Sequence, residues 1–406
     1  MRRIDPVRFR IATRGTSREI NRRIVLNLVR TRQPISRADL ARTMGVRRGA
    51  VSLIVNDLLK DGFVFEGAAG ETMRGRRPTF LYIDSRRRAV AAVDIRASQT
   101  YLMLADLVGK PIAAVTGIPT PRDPKQLVSI LATRIRALLD DRKDLDACEG
   151  VGVAVPGMVE PNTMRIVYAP TLGWRNVDLL EPLAQAVGLP VQLENSGRAC
   201  ALAQLWAMHG EASAAGDLVF VNVSDGLGVG VVIHGELLRG RNNIAGEFGH
   251  VPLPGESARC ACGATGCWEA YVSNRATLAR YFGRSLDIDP NGPEEQPYFR
   301  IEDLITRARA GDGKAIAAIQ ATGRYLGLGL ASVVNAYDPA RVYIGGEITA
   351  AWDLIAATVR AGLAERMLTP AASDLDIRVV ATADNQRLQG AAALVTAPAF
   401  AAPVVA

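Results

Sequence analysis

The sequence predicts an α/β protein in two parts: a small helical unit closed by a β-hairpin, then a larger two-lobed α/β body carrying a metal loop. Three observations predict it. Positive charge is crowded into the first fifth of the chain, where helical periodicity runs in three short segments. Two similar strand–loop–strand stretches open the two halves of the remainder. One histidine and three cysteines gather between His250 and Cys267.

At 406 residues the chain can form two or three domains with sizeable cores. Apolar residues make up 49% and charged residues 22%, as in soluble globular proteins. No uninterrupted apolar run reaches the roughly 18 residues of a membrane span. The start, M-R-R-I-D-P-V-R-F-R, lacks the apolar core of a secretory signal, so the expected location is the cytoplasm. The net charge of +7 is unevenly spread. Residues 1–88 hold 21 Lys/Arg against 8 Asp/Glu, a net of +13; the rest holds 27 against 33, a net of −6. Such asymmetry points to a nucleic-acid-binding segment joined to a body with another task.

Residues 1–18 are basic without clean periodicity and read as a mobile arm. From Glu19 a helix is expected, with Ile20, Ile24 and Leu28 in a stripe and Val25 beside them; Pro34 breaks it. Ser36 opens S-R-A-D, a capping-box pattern for a second helix bearing Ala38, Leu40 and Ala41. After the Gly45 turn, a third helix carries Val51, Ile54, Val55, Leu58 and Leu59 on one face and ends at Gly62. Three short helices with a turn before the third have the pattern of a helix-turn-helix. Its outer face presents Arg47, Arg48, Ser52 and Asn56, and Arg and Asn can read guanine and adenine edges. A solvated surface is the plainer alternative, and the local positive charge favours DNA. F-V-F-E-G and T-F-L-Y-I-D then alternate as a hairpin whose tip holds Arg74, Arg76 and Arg77. These could follow phosphates or enter a narrow minor groove.

In the body, A-V-A-A-V-D-I-R-A-S from Ala89 and L-V-F-V-N-V-S-D-G-L-G from Leu218 each begin a strand, an acidic loop and a second strand. Two similar lobes with a cleft between them are expected. Cys148 and Cys200 sit in apolar contexts as inert core thiols. Trp174 suits either core or a stacking surface, His209 and His234 have no partner signal, and Asp287–Gln296 reads as a polar loop. The apolar C-terminal stretch, broken by Pro398 and Pro403, reads as a last helix, beginning between Asn385 and Ala393, with a loose tail.

Cys260, Cys262 and Cys267 fall within eight residues, and His250 lies just upstream. Three thiolates and an imidazole are a fitting tetrahedral set for structural Zn2+. A disulfide would need an oxidising compartment that nothing here suggests. A redox pair is disfavoured because one residue, not two, separates Cys260 from Cys262.

Glu247-Phe248-Gly249-His250, followed by Cys260-Ala261-Cys262-Gly263 and Gly266-Cys267-Trp268-Glu269, resembles the signature of the ROK family of bacterial sugar kinases and sugar-responsive repressors. S-R-A-D-L-A, V-S and G-R-R-P likewise look like the winged helix of the family's repressors, and the resemblance spans essentially the whole chain. It implies a winged helix-turn-helix over 1–88 and an actin-like body. The first lobe would cover 89–197, the second lobe with its zinc and sugar loop 198–384, and a C-terminal helix returning to the first lobe 385–406. Because Arg47 and Arg48 follow Gly45-Val46 where the family commonly has Ser, no operator sequence is carried over.

The kinase members' phosphate loop reads Asp-x-Gly-Gly-Thr, but here Asp94-Ile95-Arg96-Ala97-Ser98 loses both glycines. Asp225-Gly226-Leu227-Gly228-Val229-Gly230 keeps glycines without the usual Gly-Thr-Gly, and Ile344-Gly345-Gly346 resembles the adenosine loop. The kinases' Glu-Asn-Asp is Glu194-Asn195-Ser196, and a serine hydroxyl cannot act as a general base near neutral pH. The resemblance therefore implies no catalytic residue here. Its sugar contacts fall on Gly157, Asn195, Glu247, His250 and Glu269, with His250 serving metal and sugar through different nitrogens. Glu247 and Glu269 could instead only support the zinc loop. Trp174 and Asn176 match a segment near the cleft. The expected protein is a transcriptional regulator, most simply a repressor, of sugar uptake or catabolism genes. It would bind double-stranded operator DNA as a homodimer or homotetramer and answer a sugar or sugar phosphate. A DNA-linked sugar kinase, or a repressor controlled by a partner protein, are the alternatives.

Overall fold

The computed structural model describes residues 14–69, 79–85, 87–208, 217–286, 299–369 and 375–400. The basic arm before Arg14, Arg74, Arg76 and Arg77 of the hairpin tip, His209, the loop 287–296 and the tail after Phe400 lie outside them.

The N-terminal unit holds α1 (Arg14–Arg32), α2 (Arg37–Met44) and α3 (Arg48–Lys60). α1 begins at Arg14, so residues 14–18, expected in an arm, are helical. Its buried stripe is Val25, Leu26 and Val29, and Ile24 of the expected stripe is 37% exposed. Val25, named beside the expected stripe, is buried and Leu28 packs against the same cluster, so the inward face is rotated toward Val25 and Val29. Ser36 and Asp39 close a reciprocal capping box on α2, and Gly45 turns the chain at φ 66. α3 buries Val51, Val55 and Leu58. Strands β1 (Ile35–Ser36), β2 (Val64–Ala69) and β3 (Thr79–Ile83) form an antiparallel sheet of order β1-β3-β2. The two-residue β1 was not foreseen, being too short for an alternating pattern.

The body contains one topology twice. Its first sheet joins β4 (Arg88–Ile95), β5 (Gln99–Asp106), β6 (Thr116–Pro119), β7 (Ala147–Val155) and, further on, β11 (Val191–Asn195). Their order is β11-β7-β4-β5-β6. Between them lie α4 (Pro124–Asp140), α5 (Leu180–Val187) and a small sheet of β8 (Met158–Val159), β9 (Ile166–Ala169) and β10 (Trp174–Val177). After β11 comes α6 (Ser196–Ala207). The second sheet joins β12 (Leu218–Val223), β13 (Leu227–Ile233), β14 (Glu236–Leu237), β15 (Arg341–Gly345) and β16 (Asp376–Val379) in the order β14-β13-β12-β15-β16. In each sheet the first strand pairs antiparallel with the second and parallel with the fourth. Helices α7 (Glu269–Val272), α8 (Asn274–Phe282), α9 (Ile301–Arg309), α10 (Gly313–Tyr337) and α11 (Trp352–Ala364) complete the second half, and α12 (Gln386–Phe400) closes the chain.

The first sheet is covered on one face by α4, whose Leu127 and Leu131 pack with Val93, Leu102 and Val153. On the other face, Ala199 of α6 and Leu388, Ala391 and Ala392 of α12 pack on Val90, Ala92 and Met103. Small residues bring these elements very close: a Cβ at Gly390 would stand 1.9 Å from the Ala199 carbonyl oxygen, and one at Gly152 1.8 Å from that of Ala391. α12 continues through Pro398 to Phe400, so that proline does not end it as expected.

The N-terminal unit is seated on the far ends of α6 and α12. Val25, Val29 and Val55 share one apolar cluster with Leu107, Trp206, Ala393 and Phe400. Arg30 lies 3.7 Å from the centre of the Trp206 ring and 5.2 Å from that of Phe400. Burial pulls its guanidinium down to about 9, and the ring faces offset part of that cost. A second tether is Arg88, which donates to the Asp61 carbonyl at 2.6 Å, stacks 4.4 Å from Phe63 and pairs with Glu149.

Candidate functional site

Between the two halves of the body lies a cleft open to solvent. Gly157, Asn195, Glu247, His250 and Glu269 all line it, as do Ser196, Arg96 and Arg387. Residues spread over more than a hundred positions are thus brought together.

Asn195 ends β11 and caps α6. Its Oδ1 accepts from the Gly197 and Arg198 amides at 2.8 and 3.2 Å, and its Nδ2 donates to the Gly157 carbonyl at 2.8 Å. An amide nitrogen carries two protons, so one N–H remains for a ligand. Gly157 has φ 102, and a Cβ there would stand 2.3 Å from the Tyr168 carbonyl oxygen. Close packing alone therefore demands this glycine, whatever approaches from the cleft. Glu194 is buried beneath; it accepts from Arg198 Nε at 2.7 Å and Arg239 Nη2 at 2.8 Å. This buried network, missed in the sequence, fixes the first turn of α6.

On the opposite wall, Glu269 is buried, and its Oε2 accepts from the Leu227 amide at 2.9 Å. Its Oε1 lies 3.6 Å from Cys260 Sγ, so it braces the cysteine loop as well as lining the cleft. Burial pushes the Glu247 carboxyl above its usual range, against the pull of Arg198. Trp174 is core: it is 3% exposed, and its Nε1 donates to the Arg122 carbonyl at 2.9 Å. Cys200 is fully buried, its thiol pushed up to about 12, and Cys148 is also raised by burial.

His250, Cys260, Cys262 and Cys267 form a cluster whose ligand atoms lie within 4.8 Å of one another. Cys260 Sγ is 3.7 Å from His250 Nδ1, and Cys262 Sγ is 3.7 Å from Cys267 Sγ. Four ligands tetrahedral about Zn2+, with Zn–S near 2.3 Å, would put sulfurs about 3.8 Å apart. The donor set fits such an ion. All three thiols are free, and the loop's Gly266, at φ 77, could not carry a Cβ without meeting the Glu256 carbonyl at 2.7 Å.

The loop from Asp94 to Ser98 is filled from within. Arg96 Nε donates to Asp94 Oδ2 at 2.6 Å, and its Nη1 reaches Glu347 Oε1 in the second half at 3.1 Å. Arg387 of α12 stands 3.7 Å from Asp94 Oδ1, and Asn274 Nδ2 donates to Glu347 Oε2 at 3.0 Å. Burial alone would raise the Glu347 carboxyl, but Arg387 and Arg96 outweigh it and hold it below its ordinary value. The glycines of the second loop serve packing: a Cβ at Gly230 would stand 2.5 Å from Ala201 Cβ, and one at Gly228 3.0 Å from Gly197 Cα. They let β13 lie directly against α6.

In the N-terminal unit, Arg47, Arg48 and Asn56 of α3 are exposed and Ser52 is half-buried. Asn56 is already held, its Oδ1 accepting from Arg37 Nη1 at 2.9 Å while Arg37 also pairs with Glu66 at 2.8 Å. No local pattern marks that clamp, which joins three separate elements.

A two-lobed body with duplicated sheets, a cleft and a His/Cys₃ loop defines the class of sugar-kinase-like proteins. The family model described as ROK matches residues 90–397, and the chain belongs to that family. It is 27% identical over 386 residues to the xylose repressor of Bacillus subtilis, covering 95% of this chain and 97% of that protein. A crystal structure of a ROK family transcriptional regulator, described as a homologue of the Escherichia coli MLC protein, superposes with a TM-score of 0.77 at 26% identity. It covers 95% of this chain and 97% of its own. A ROK family glucokinase from Streptomyces griseus, solved with glucose and AMPPNP, gives a TM-score of 0.62 at 25% identity. It covers 98% of its own chain but 75% of this one. No helix among the described residues is long and apolar enough to cross a membrane.

Proposed function

We propose that this protein is a sugar-responsive transcriptional repressor of sugar uptake or catabolism genes. One observation carries the reading: the xylose repressor is similar to this chain from end to end, whereas the glucokinase matches three quarters of it. Residues 1–88 then form a winged helix-turn-helix, 89–197 and 198–384 the two lobes, and 385–406 the returning helix and tail. Operator DNA meets the exposed face of α3, with Arg47, Arg48, Ser52 and Asn56, and the hairpin tip with Arg74, Arg76 and Arg77. Two-fold operators need two readers, so the protein acts as a homodimer or homotetramer.

The sugar or sugar phosphate binds in the cleft. Gly157 and Asn195 touch it from one wall, and Glu247, His250 and Glu269 from the other. A ligand held by both walls favours the closed cleft by its difference in affinity between open and closed states. His250 Nδ1 and the thiolates of Cys260, Cys262 and Cys267 hold a structural zinc ion, which sets the loop's shape and leaves His250 Nε2 for the ligand. Phosphoryl transfer is absent. Ser196 cannot take the hydroxyl proton, and Arg96, paired with Asp94 and Glu347, stands where a nucleotide's phosphates would approach.

The test is fluorescence anisotropy on duplexes from the neighbourhood of the gene and nearby sugar genes, at fixed salt, with sugars and sugar phosphates added. Tight binding shifted by one ligand is expected, with no ATP-dependent phosphorylation of that ligand. Specific binding indifferent to every sugar would instead point to control by a partner protein, and no specific binding would overturn the repressor reading.

A further inference from the structure

Two features of α3 are unexplained by the fold itself. Leu53 is 68% exposed, although the core of its unit is within reach of the same helix. It points away from the buried Val51, Val55 and Leu58. The other feature is Gly49, in the first turn. Its backbone is ordinary helix rather than left-handed, and a Cβ added to it would meet nothing within 4 Å. Neither conformation nor packing within the chain requires a glycine, and glycine weakens a helix relative to alanine. On a 3.6-residue helix, positions 49, 53, 56 and 60 fall on one stripe opposite Val51. That stripe thus reads Gly49, Leu53, Asn56 and Lys60, with the exposed Arg47 and Arg48 at its start.

We propose that Gly49 and Leu53 are the base-reading centre of α3: Gly49 lets the helix backbone approach the major groove closely, and Leu53 packs on the 5-methyl group of thymine. The proposal rests on the DNA-binding reading above. Thymine's methyl is the one apolar feature of the major-groove edge and is the natural partner of an aliphatic side chain. The flanking cations match the charge of the phosphates, and burying an apolar side chain there removes its cost of exposure. Arg47, Arg48, Ser52 and Asn56, read from the sequence for guanine and adenine edges, leave the thymine methyl without a partner.

The full-length protein would be used to select its site from a random duplex pool. Each thymine of that site would then be replaced singly by uracil, which deletes the methyl group and nothing else. At one or two positions uracil should weaken binding about fourfold, the worth of one buried methyl. Leu53→Ala should bind thymine and uracil equally there while keeping its salt dependence. Gly49→Ala should fold with a Tm no lower than the parent's yet bind the selected duplex at least tenfold more weakly. Unchanged uracil effects in Leu53→Ala would overturn the methyl contact, and parental affinity in Gly49→Ala would overturn the close approach. A changed oligomeric state in Leu53→Ala, with the uracil effects intact, would assign the face to a second copy instead. If selection enriches no sequence at all, the DNA-binding reading fails, and this proposal with it.

Discussion

Replacing Arg96 by alanine tests how the loop after Asp94 is held. Asp94 is fully buried, and Arg96 supplies its close ion pair at 2.6 Å; Arg387 remains at 3.7 Å. Stripping one partner from a buried pair costs about 3–5 kcal/mol, because the other charge is left without its partner. The side chain of Arg96 is itself 23% exposed and Arg387 survives, so the low end applies, about 3 kcal/mol. Glu347→Gln should cost less, about 1 kcal/mol, since Asn274 still holds the side chain. In Asp94→Ala/Arg96→Ala neither charge is stranded, and the loss should fall short of the summed single losses by about 1–2 kcal/mol. Urea unfolding at neutral pH measures all five proteins: the parent, Arg96→Ala, Asp94→Ala, their double variant and Glu347→Gln. The acid side gives a second readout. The folded Glu347 carboxyl titrates below its ordinary value, so its stabilisation is present above that value and lost as pH falls through the folded one. Arg96→Ala should blunt that acid-side loss. A variant within about 0.5 kcal/mol of the parent, or strictly additive single losses, would refute the reasoning.

Three further outcomes are expected. Cys260→Ser/Cys262→Ser should copurify with no zinc by elemental analysis, whereas the parent carries about one ion per chain; full metal content in the double variant would refute the ligand set. Glu247→Ala should keep DNA affinity within about twofold in anisotropy while losing the ligand response, and a normal response would move the site elsewhere. Trp206→Ala should remove about 3–5 kcal/mol of packing between α6, Arg30 and Phe400. Limited proteolysis should then cut between the N-terminal unit and the body, and an unchanged digestion pattern would refute the seat.

Much of this architecture was legible because it is written in local periodicity. The α2 capping box, the outward face of α3, the doubled strand openings and the metal-loop spacing each depend on residues close in sequence. The start of α1 and its buried stripe were not legible, since contacts with distant aromatic rings decide which side of that helix is inside. The cleft carboxylates could be named, yet their present partners could not. Glu269 is tied to the Leu227 amide, Asn195 to α6 and Gly157, and Asn56 to Arg37, all through bonds between separate elements. The resemblance places Arg96 where the kinase members carry a glycine. It does not reveal that its guanidinium reaches Glu347, because that pairing exists only once both sheets are in place. Glycines mislead in the other direction: Gly228 and Gly230 read as a phosphate loop, and the reason for them is a helix lying directly on a strand.

The seat beneath Arg30 has a consequence for the order of events during synthesis. Its three parts, α1, Trp206 and Phe400, leave the ribosome in that order and far apart in the chain. Within that shared cluster Val51, Val55, Leu58 and Leu81 all belong to the N-terminal unit, so contacts among them do not wait for the platform. The unit's orientation is another matter, because the platform is finished only when α12 has slid between α6 and the first sheet. A chain interrupted short of that helix would carry a formed reading head without a fixed bearing, and would also lack Arg387 at the cleft. α12 is therefore the element that gives the N-terminal unit a fixed bearing on the body.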